Sequence, residues 1–160
     1  MSGAAASVAL DALPFPSLVW FRRLADLMNE NRARQEQLGY VDCVVAFRVL
    51  DAPGGRPWSV AITFEEFSVT DVREEDASRV SHADFALDAP LATWRAMIES
   101  IEAGGGRPAL DQTLNHLSHM GDPVRVVSDD PLKRDLYFRY NQSLQEFVNA
   151  CARFHTTFTG

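Results

Sequence analysis

Two histidines three positions apart are the clearest candidates for metal binding in this sequence. His116 and His119 form an HxxH pattern, and that spacing places two imidazoles on one side of a helix. A zinc site needs at least a third protein ligand, which Asp122 could supply. The alternative is that both side chains interact only with the C-terminal dipole of a short helix or bond locally. We favour this alternative and expect no metal and no cofactor.

The remaining reactive residue types stand in patterns that are poor for catalysis. Glu65 and Glu66 are adjacent, so an extended strand would point them to opposite faces rather than join them as an acid–base pair. Cys43 lies inside an apolar segment, which suits a small buried side chain better than a reactive thiolate. Lys133 is the only lysine, and no phosphate-binding glycine loop precedes it. The sequence therefore predicts no catalytic residue and a protein that is not an enzyme.

Composition sets the class of protein. The chain has 160 residues, of which 46% are hydrophobic, and a net charge of -7. This length predicts one domain with a sizeable core, which we place at 15–157 after a flexible lead-in at 1–14. The acidic balance excludes nucleic acid as a partner. No run of 18 apolar residues exists, so we expect no stable membrane insertion and a cytoplasmic location.

The first half of the chain predicts one helix followed by strands. Apolar residues recur at helical spacing over 17–37, after a Pro-Ser start signal and before a glycine. Strict alternation over 41–50 and 58–64, with a glycine-rich turn between them, predicts an antiparallel hairpin. Two further strands are expected over 67–73 and 82–87.

The second half of the chain is mostly helical. One helix is expected from Pro90 to the glycines at 104–106, and a shorter one from Pro108. A brief strand at 124–127 precedes a long amphipathic helix that starts at Asp130 and carries apolar residues as far as Phe154. Strands that cluster before helices predict an α+β fold, with a five-stranded, mostly antiparallel sheet and helices covering one face.

Several of these segments resemble the lipid-binding domain of sterol carrier protein type 2, in particular its bacterial single-domain relatives. The resemblance covers 41–151, with a leading helix over 16–40. The segments that carry it are the hairpin strand WSVAITF, the stretch DFALDAPLATWRAMI, the turn and strand within 117–127, and the closing amphipathic helix.

The resemblance implies an apolar tunnel between sheet and helices that accepts a sterol, a fatty acid or a fatty acyl ester, with no residue performing chemistry. The scarcity of lysine makes us expect a neutral or carboxylate-bearing lipid rather than a coenzyme A ester. The expected partner is thus an apolar small molecule, with a homodimer or a partner enzyme left open. The ligand-binding residues expected on this basis are Phe47, Trp94, Ile98, Leu114, Leu117, Met120, Leu136, Tyr140, Leu144 and Phe147.

Two other functions compete with lipid carrying. A small cupped α+β isomerase or cyclase acting on an apolar, steroid- or polyketide-like substrate would use an Asp or His whose pKa is shifted by burial. Its candidates here are Asp84, His82 and His116. A protein-interaction module with a filled core would instead use exposed acidic loops such as 74–76. Periodicity alone does not separate a filled core from a lined cavity.

Overall fold

The computed structural model describes residues 12–78 and 82–158. The strands are β1 (Ala12–Phe15), β2 (Cys43–Val49), β3 (Trp58–Glu65), β4 (Ser68–Glu75), β5 (Phe85–Ala89), β6 (Arg125–Val127) and β7 (His155–Phe158). The α-helices are α1 (Leu18–Glu30), α2 (Arg32–Leu38), α3 (Leu91–Ala103), α4 (Leu114–Ser118) and α5 (Pro131–Asn149). Short 3-10 helices cover Leu110–Gln112 and Ala150–Arg153. None of the helices in these ranges has both the length and the apolarity needed to cross a membrane.

The main sheet has five strands in the order β4-β3-β2-β5-β6. β2 and β3 form the predicted antiparallel hairpin, with Phe47 opposite Val60. β5 pairs with the other side of β2 in parallel, with Phe47 opposite Leu87. The other two pairs are antiparallel. The predicted α+β class with a mostly antiparallel sheet is therefore confirmed, and β2 is its central strand.

Three predicted boundaries on the first half of the chain need correction. The helix expected over 17–37 is interrupted at Asn31, where φ is -115° and ψ is 58°. Asparagine offers the backbone alternative hydrogen bonds and so favours helix ends over helix interiors. The strand expected to start at 82 begins at Phe85, because the Asp84 carboxylate accepts the Val44 N–H at 2.8 Å in place of a strand partner. β4 runs two residues further than the predicted end at 73.

The second half differs from the prediction in its two shorter helices and its closing segment. The helix expected from Pro108 is divided into a 3-10 turn and α4. The closing helix ends at Asn149, so Cys151 lies in a 3-10 turn and Phe154 beyond it. The chain turns there because the Phe154 ring packs edge-on against Trp20 at 6.0 Å. This packing lets the following residues pair as β7.

A small parallel sheet of β1 and β7 joins the two ends of the described chain. Beneath it, the Trp20 indole Nε1 donates a hydrogen bond to Thr156 Oγ1 at 3.0 Å, and both side chains are buried. The predicted domain start at residue 15 falls inside β1. Of the expected flexible lead-in at 1–14, residues 1–11 lie outside the described residues.

One edge of the main sheet is closed by a side chain from α1. The Val69 N–H donates to Asn29 Oδ1 at 2.8 Å, and Asn29 Nδ2 donates to the Val69 carbonyl at 2.9 Å. The carboxamide thus pairs with β4 as a neighbouring strand would. Because free backbone groups at a sheet edge invite pairing with other chains, this contact also limits edge-to-edge association.

A partly buried ion pair links the central strand β2 to its neighbour β5. Arg48 of β2 and Asp88 of β5 are register partners, and Arg48 Nε lies 3.7 Å from Asp88 Oδ1. Neither of these two buried atoms has a hydrogen-bond partner. Burial raises the pKa of Asp88, and the charges of Arg48 and Arg125 only partly oppose this rise.

Thr156→Val should destabilise the protein by about 1–3 kcal/mol, because the buried Trp20 N–H would lose its acceptor while the shape of the side chain is kept. Urea unfolding would measure the change. Thr157→Val makes the same replacement at a half-exposed neighbouring position and should have little effect. Equal stability of the two variants would contradict the importance of this bond.

The stability advantage of the wild type over Asp88→Asn should grow as the pH falls from about 7 towards about 4. The pKa of Asp88 is raised in the folded state, so its contribution is fully present below the unfolded pKa of about 3.9 and is lost as the pH rises through the folded pKa. Urea unfolding at several pH values would measure the difference. Asp111→Asn, at an exposed position, is the control, and a difference that does not depend on pH would contradict the prediction.

Candidate functional site

The space between the sheet and the helices is organised around Phe47. Its ring lies 5.3 Å from that of Phe21 on α1, 6.0 Å from Trp94 on α3 and 5.9 Å from Phe147 on α5, measured between centroids. All three ring pairs are tilted, and such contacts between rings add to the hydrophobic gain of burial. The central strand is therefore held to three helices through one side chain, and the interior at this level is filled.

Helix α5 packs tightly along its C-terminal half, whereas its N-terminal half has a single fully buried side chain, that of Tyr137. Leu144, Phe147 and Val148 are 0–2% exposed. Leu136 and Tyr140 are only partly buried against the same core. The cover over the sheet is consequently weakest near the start of α5.

The looser half of α5 encloses one polar group. The Tyr137 hydroxyl lies 2.7 Å from Ser118 Oγ, which also donates to the Leu114 carbonyl at 2.7 Å. Both side chains are buried. Burial raises the pKa of Tyr137, while the hydrogen bond between Tyr137 and Ser118 opposes the rise. These two hydroxyls are the polar groups in a surface of otherwise apolar side chains from α4, α5 and Phe85 of β5.

The structure gathers most of the predicted ligand-binding residues into the one core, and places a few elsewhere. Those buried in the core are Phe47, Trp94, Ile98, Leu114, Leu117, Leu144 and Phe147. Leu136 and Tyr140 pack against it from α5. Met120 is 83% exposed and does not face this interior.

None of the ten predicted residues lines any of four prominent surface clefts that the described residues outline. Two of the clefts lie along β4, one lies between α4 and α5, and one lies between α2 and the end of α5. An apolar ligand in the interior would therefore displace packing that is closed in this structure. The assignment of the ten residues to a lipid site stays a prediction.

The candidates for an isomerase are not brought together. The Asp84 carboxylate accepts a hydrogen bond from the Val44 N–H, and its Oδ1 lies 4.0 Å from Lys133 Nζ. His82 lines a cleft beside β4, whereas His116 is exposed on α4. Within the described residues, no three His, Cys, Asp or Glu side chains are grouped so that they could hold a metal ion.

Both cysteines are buried and free. Burial raises the pKa of the Cys43 thiol to about 12 and that of the Cys151 thiol to about 12. Nearby carboxylates, Asp84 for Cys43 and Glu102 for Cys151, act in the same direction. At neutral pH neither side chain is a thiolate, so neither is suited to nucleophilic or redox chemistry.

The sequence analysis did not single out Gln35, which is 5% exposed and lines the cleft between α2 and α5. Its position seven residues, or two helical turns, after Met28 places it in phase with the buried stripe of α1. That phase was the available signal. The break at Asn31 shifts α2 against α1, which the sequence pattern does not reveal.

Comparison with known proteins identifies the architecture. No family model and no curated protein sequence matches the chain. Among solved structures, a crystal structure of sterol carrier protein 2 is similar, with a TM-score of 0.62, 17% identity, and 84% of this chain and 94% of that chain covered.

Two solution structures agree with this match. One is a conserved hypothetical protein from Thermus thermophilus, described as a candidate sterol carrier protein, with a TM-score of 0.63, 15% identity, and 88% and 90% coverage. The other is sterol carrier protein domain 2 of Helicoverpa armigera, with a TM-score of 0.52, 12% identity, and 82% and 86% coverage. The chain described here has the sterol carrier protein 2 fold.

Proposed function

We propose that this protein is a non-catalytic carrier that holds one apolar lipid, a sterol or a fatty acyl chain, between the main sheet and α5. The observation that carries the proposal is the sterol carrier protein 2 fold, in which the facing surfaces of sheet and helices are here lined by apolar side chains. No three His, Cys, Asp or Glu side chains among the described residues are placed to hold a metal ion that a competing catalytic site could use.

The ligand enters at the N-terminal half of α5, where the packing over the sheet is weakest. Leu136 and Tyr140 leave their partly buried positions, while Leu144 and Phe147 hold the other half of the helix to the core. Leu132 and Phe138, which are 78% and 53% exposed on the same half-helix, supply further apolar surface beside the entrance.

A lipid with one polar end fits this arrangement. The hydroxyl pair of Tyr137 and Ser118 is the buried polar point nearest the entrance, and either oxygen can donate or accept. A sterol hydroxyl or the carbonyl end of an acyl chain would bond there while the apolar body lies against Phe85 and Leu144. Such a site has apolar walls and few polar groups, as pockets for small molecules usually do.

To bind, the ligand must make contacts that compensate for the side-chain packing that it displaces. Burying about 300 Å² of apolar ligand surface contributes roughly 7 kcal/mol. Moving two partly buried side chains, Leu136 and Tyr140, costs much less than moving the fully buried pair Leu144 and Phe147. Binding through the start of α5 is therefore the least costly way to open this interior.

Leu136→Asp should weaken the binding of a fluorescent fatty acyl probe to delipidated protein by at least about tenfold, because an unpaired carboxylate would face the ligand. Titration of probe fluorescence would measure this dissociation constant. Displacement of the probe by cholesterol would show that the site also takes sterols.

The matched control is Leu110→Asp, which makes the same replacement at a position that is 88% exposed in the 3-10 turn Leu110–Gln112, outside α5, and it should bind the probe like the wild type. Circular dichroism and thermal unfolding would confirm that both variants fold. If both folded variants bound equally well, α5 would not line the site. If the wild-type protein showed no saturable uptake, the carrier function would be rejected in favour of an interaction module with a filled core.

A further inference from the structure

A cleft of about 210 Å³, lined by both polar and apolar side chains, lies between α2 and the C-terminal end of α5. Its floor is formed by Leu27 and Met28 of α1, which are 7% and 4% exposed. The glycine turn at 105–106, which follows α3, closes one side. The cleft is separate from the entrance at the start of α5, since along the helix, at 1.5 Å per residue, Tyr140 lies about 9 Å from Glu146 and Leu136 lies about 20 Å from Asn149.

The side chain of Gln35 is the unusual feature of this cleft. It is 5% exposed, lines the cleft, and makes no hydrogen bond with any described residue. The buried side chains of Ser118 and Thr156, by contrast, are hydrogen-bonded. A buried amide without a partner is costly. Neither polar atom of Gln35 is completely sealed from solvent, so the space available to them is the cleft.

The free groups around Gln35 are mainly hydrogen-bond donors. Arg34 donates from Nε to Glu146 Oε1 at 2.8 Å and from Nη1 to Gln37 Oε1 at 3.4 Å, which leaves Nη2 free. Arg153 is exposed on the cleft wall and makes no ion pair with a described residue.

The net charge of the cleft, like its hydrogen-bond donors, favours an anionic ligand. Two arginines and one glutamate line it, which gives a formal charge of +1 on a chain whose net charge is -7. The one carboxylate, Glu146, is already bonded to Arg34. Guanidinium groups favour planar or tetrahedral oxyanions, so an acceptor-rich, negatively charged group matches the unpartnered groups.

We infer that this cleft binds the oxyanion of a small organic acid, a carboxylate or a phosphate, with Gln35, Arg34 and Arg153 as its donors. The apolar part of the ligand rests on Leu27 and Met28. At about 30 Å³ for each water-sized group, the cleft has room for roughly seven such groups. This site differs from the proposed lipid interior in place, polarity and ligand size, and it stands whether or not that interior takes up a lipid.

The test is an NMR titration of the full-length protein with benzoate, with inorganic phosphate and with octanoate, at constant ionic strength. We expect saturable shifts of the Gln35 side-chain amide and of the Gly105 and Gly106 backbone amides below about 10 mM ligand. Gln35→Leu should weaken this binding at least about tenfold, since it removes the amide donor while keeping a side chain of similar size. Arg153→Gln should weaken binding without changing stability.

The matched control is Arg32→Gln, which removes an exposed arginine that pairs with Glu36 and lies outside the cleft. It should bind like the wild type. Saturation by benzoate or phosphate would support a site for free organic acids or phosphates, and saturation by octanoate alone would support a lipid carboxylate as the source of the oxyanion. The inference would be overturned if the chemical shift changes never saturated, or if Arg32→Gln and Arg153→Gln weakened binding equally.

Discussion

The packing of Phe47 against three helices is the contact on which the rest of the molecule depends. β2 is central because it pairs with β3 on one side and with β5 on the other, and Phe47 is its inward-facing side chain at mid-strand. Through Phe21, Trp94 and Phe147 it fixes α1, α3 and α5 over one face of the sheet. Replacing such an aromatic side chain by a small one typically costs about 3–5 kcal/mol.

Because side chains fill the centre of the interior, a carrier with this fold could take up a ligand only by displacing some of them. A cavity that already exists costs nothing to enter, whereas a closed interior binds only what can offset the packing it displaces. The gradient of burial along α5 makes that displacement local. Its C-terminal half is held by Leu144 and Phe147, so opening at Leu136 and Tyr140 leaves the contacts of Phe47 intact.

The sequence predicted the fold well because its strong signals were periodic. Alternation in β2 and β3, and the helical stripe of α5, fixed which face of each element is inward. The errors arose where a side chain replaced a backbone partner, as Asp84 does for Val44, or where distant segments met, as Phe154 and Trp20 do. The site was harder, since periodicity places Leu114 and Leu144 inside without saying whether they touch each other or a ligand.

The two ends of α5 differ in how firmly they are packed, and each of the two proposed sites lies at one of these ends. The N-terminal half carries charged side chains on its exposed face and packs on the core partly through the half-buried Leu136 and Tyr140, which suits an element that moves. The C-terminal half is anchored in the core and tied to α2 by the bond from Arg34 to Glu146. An oxyanion held by Gln35 and Arg34 would add contacts at the anchored end, where no motion is required. Its binding should therefore reinforce the pivot of α5 rather than block the entrance, because a ligand shifts an equilibrium only through contacts that differ between the two states.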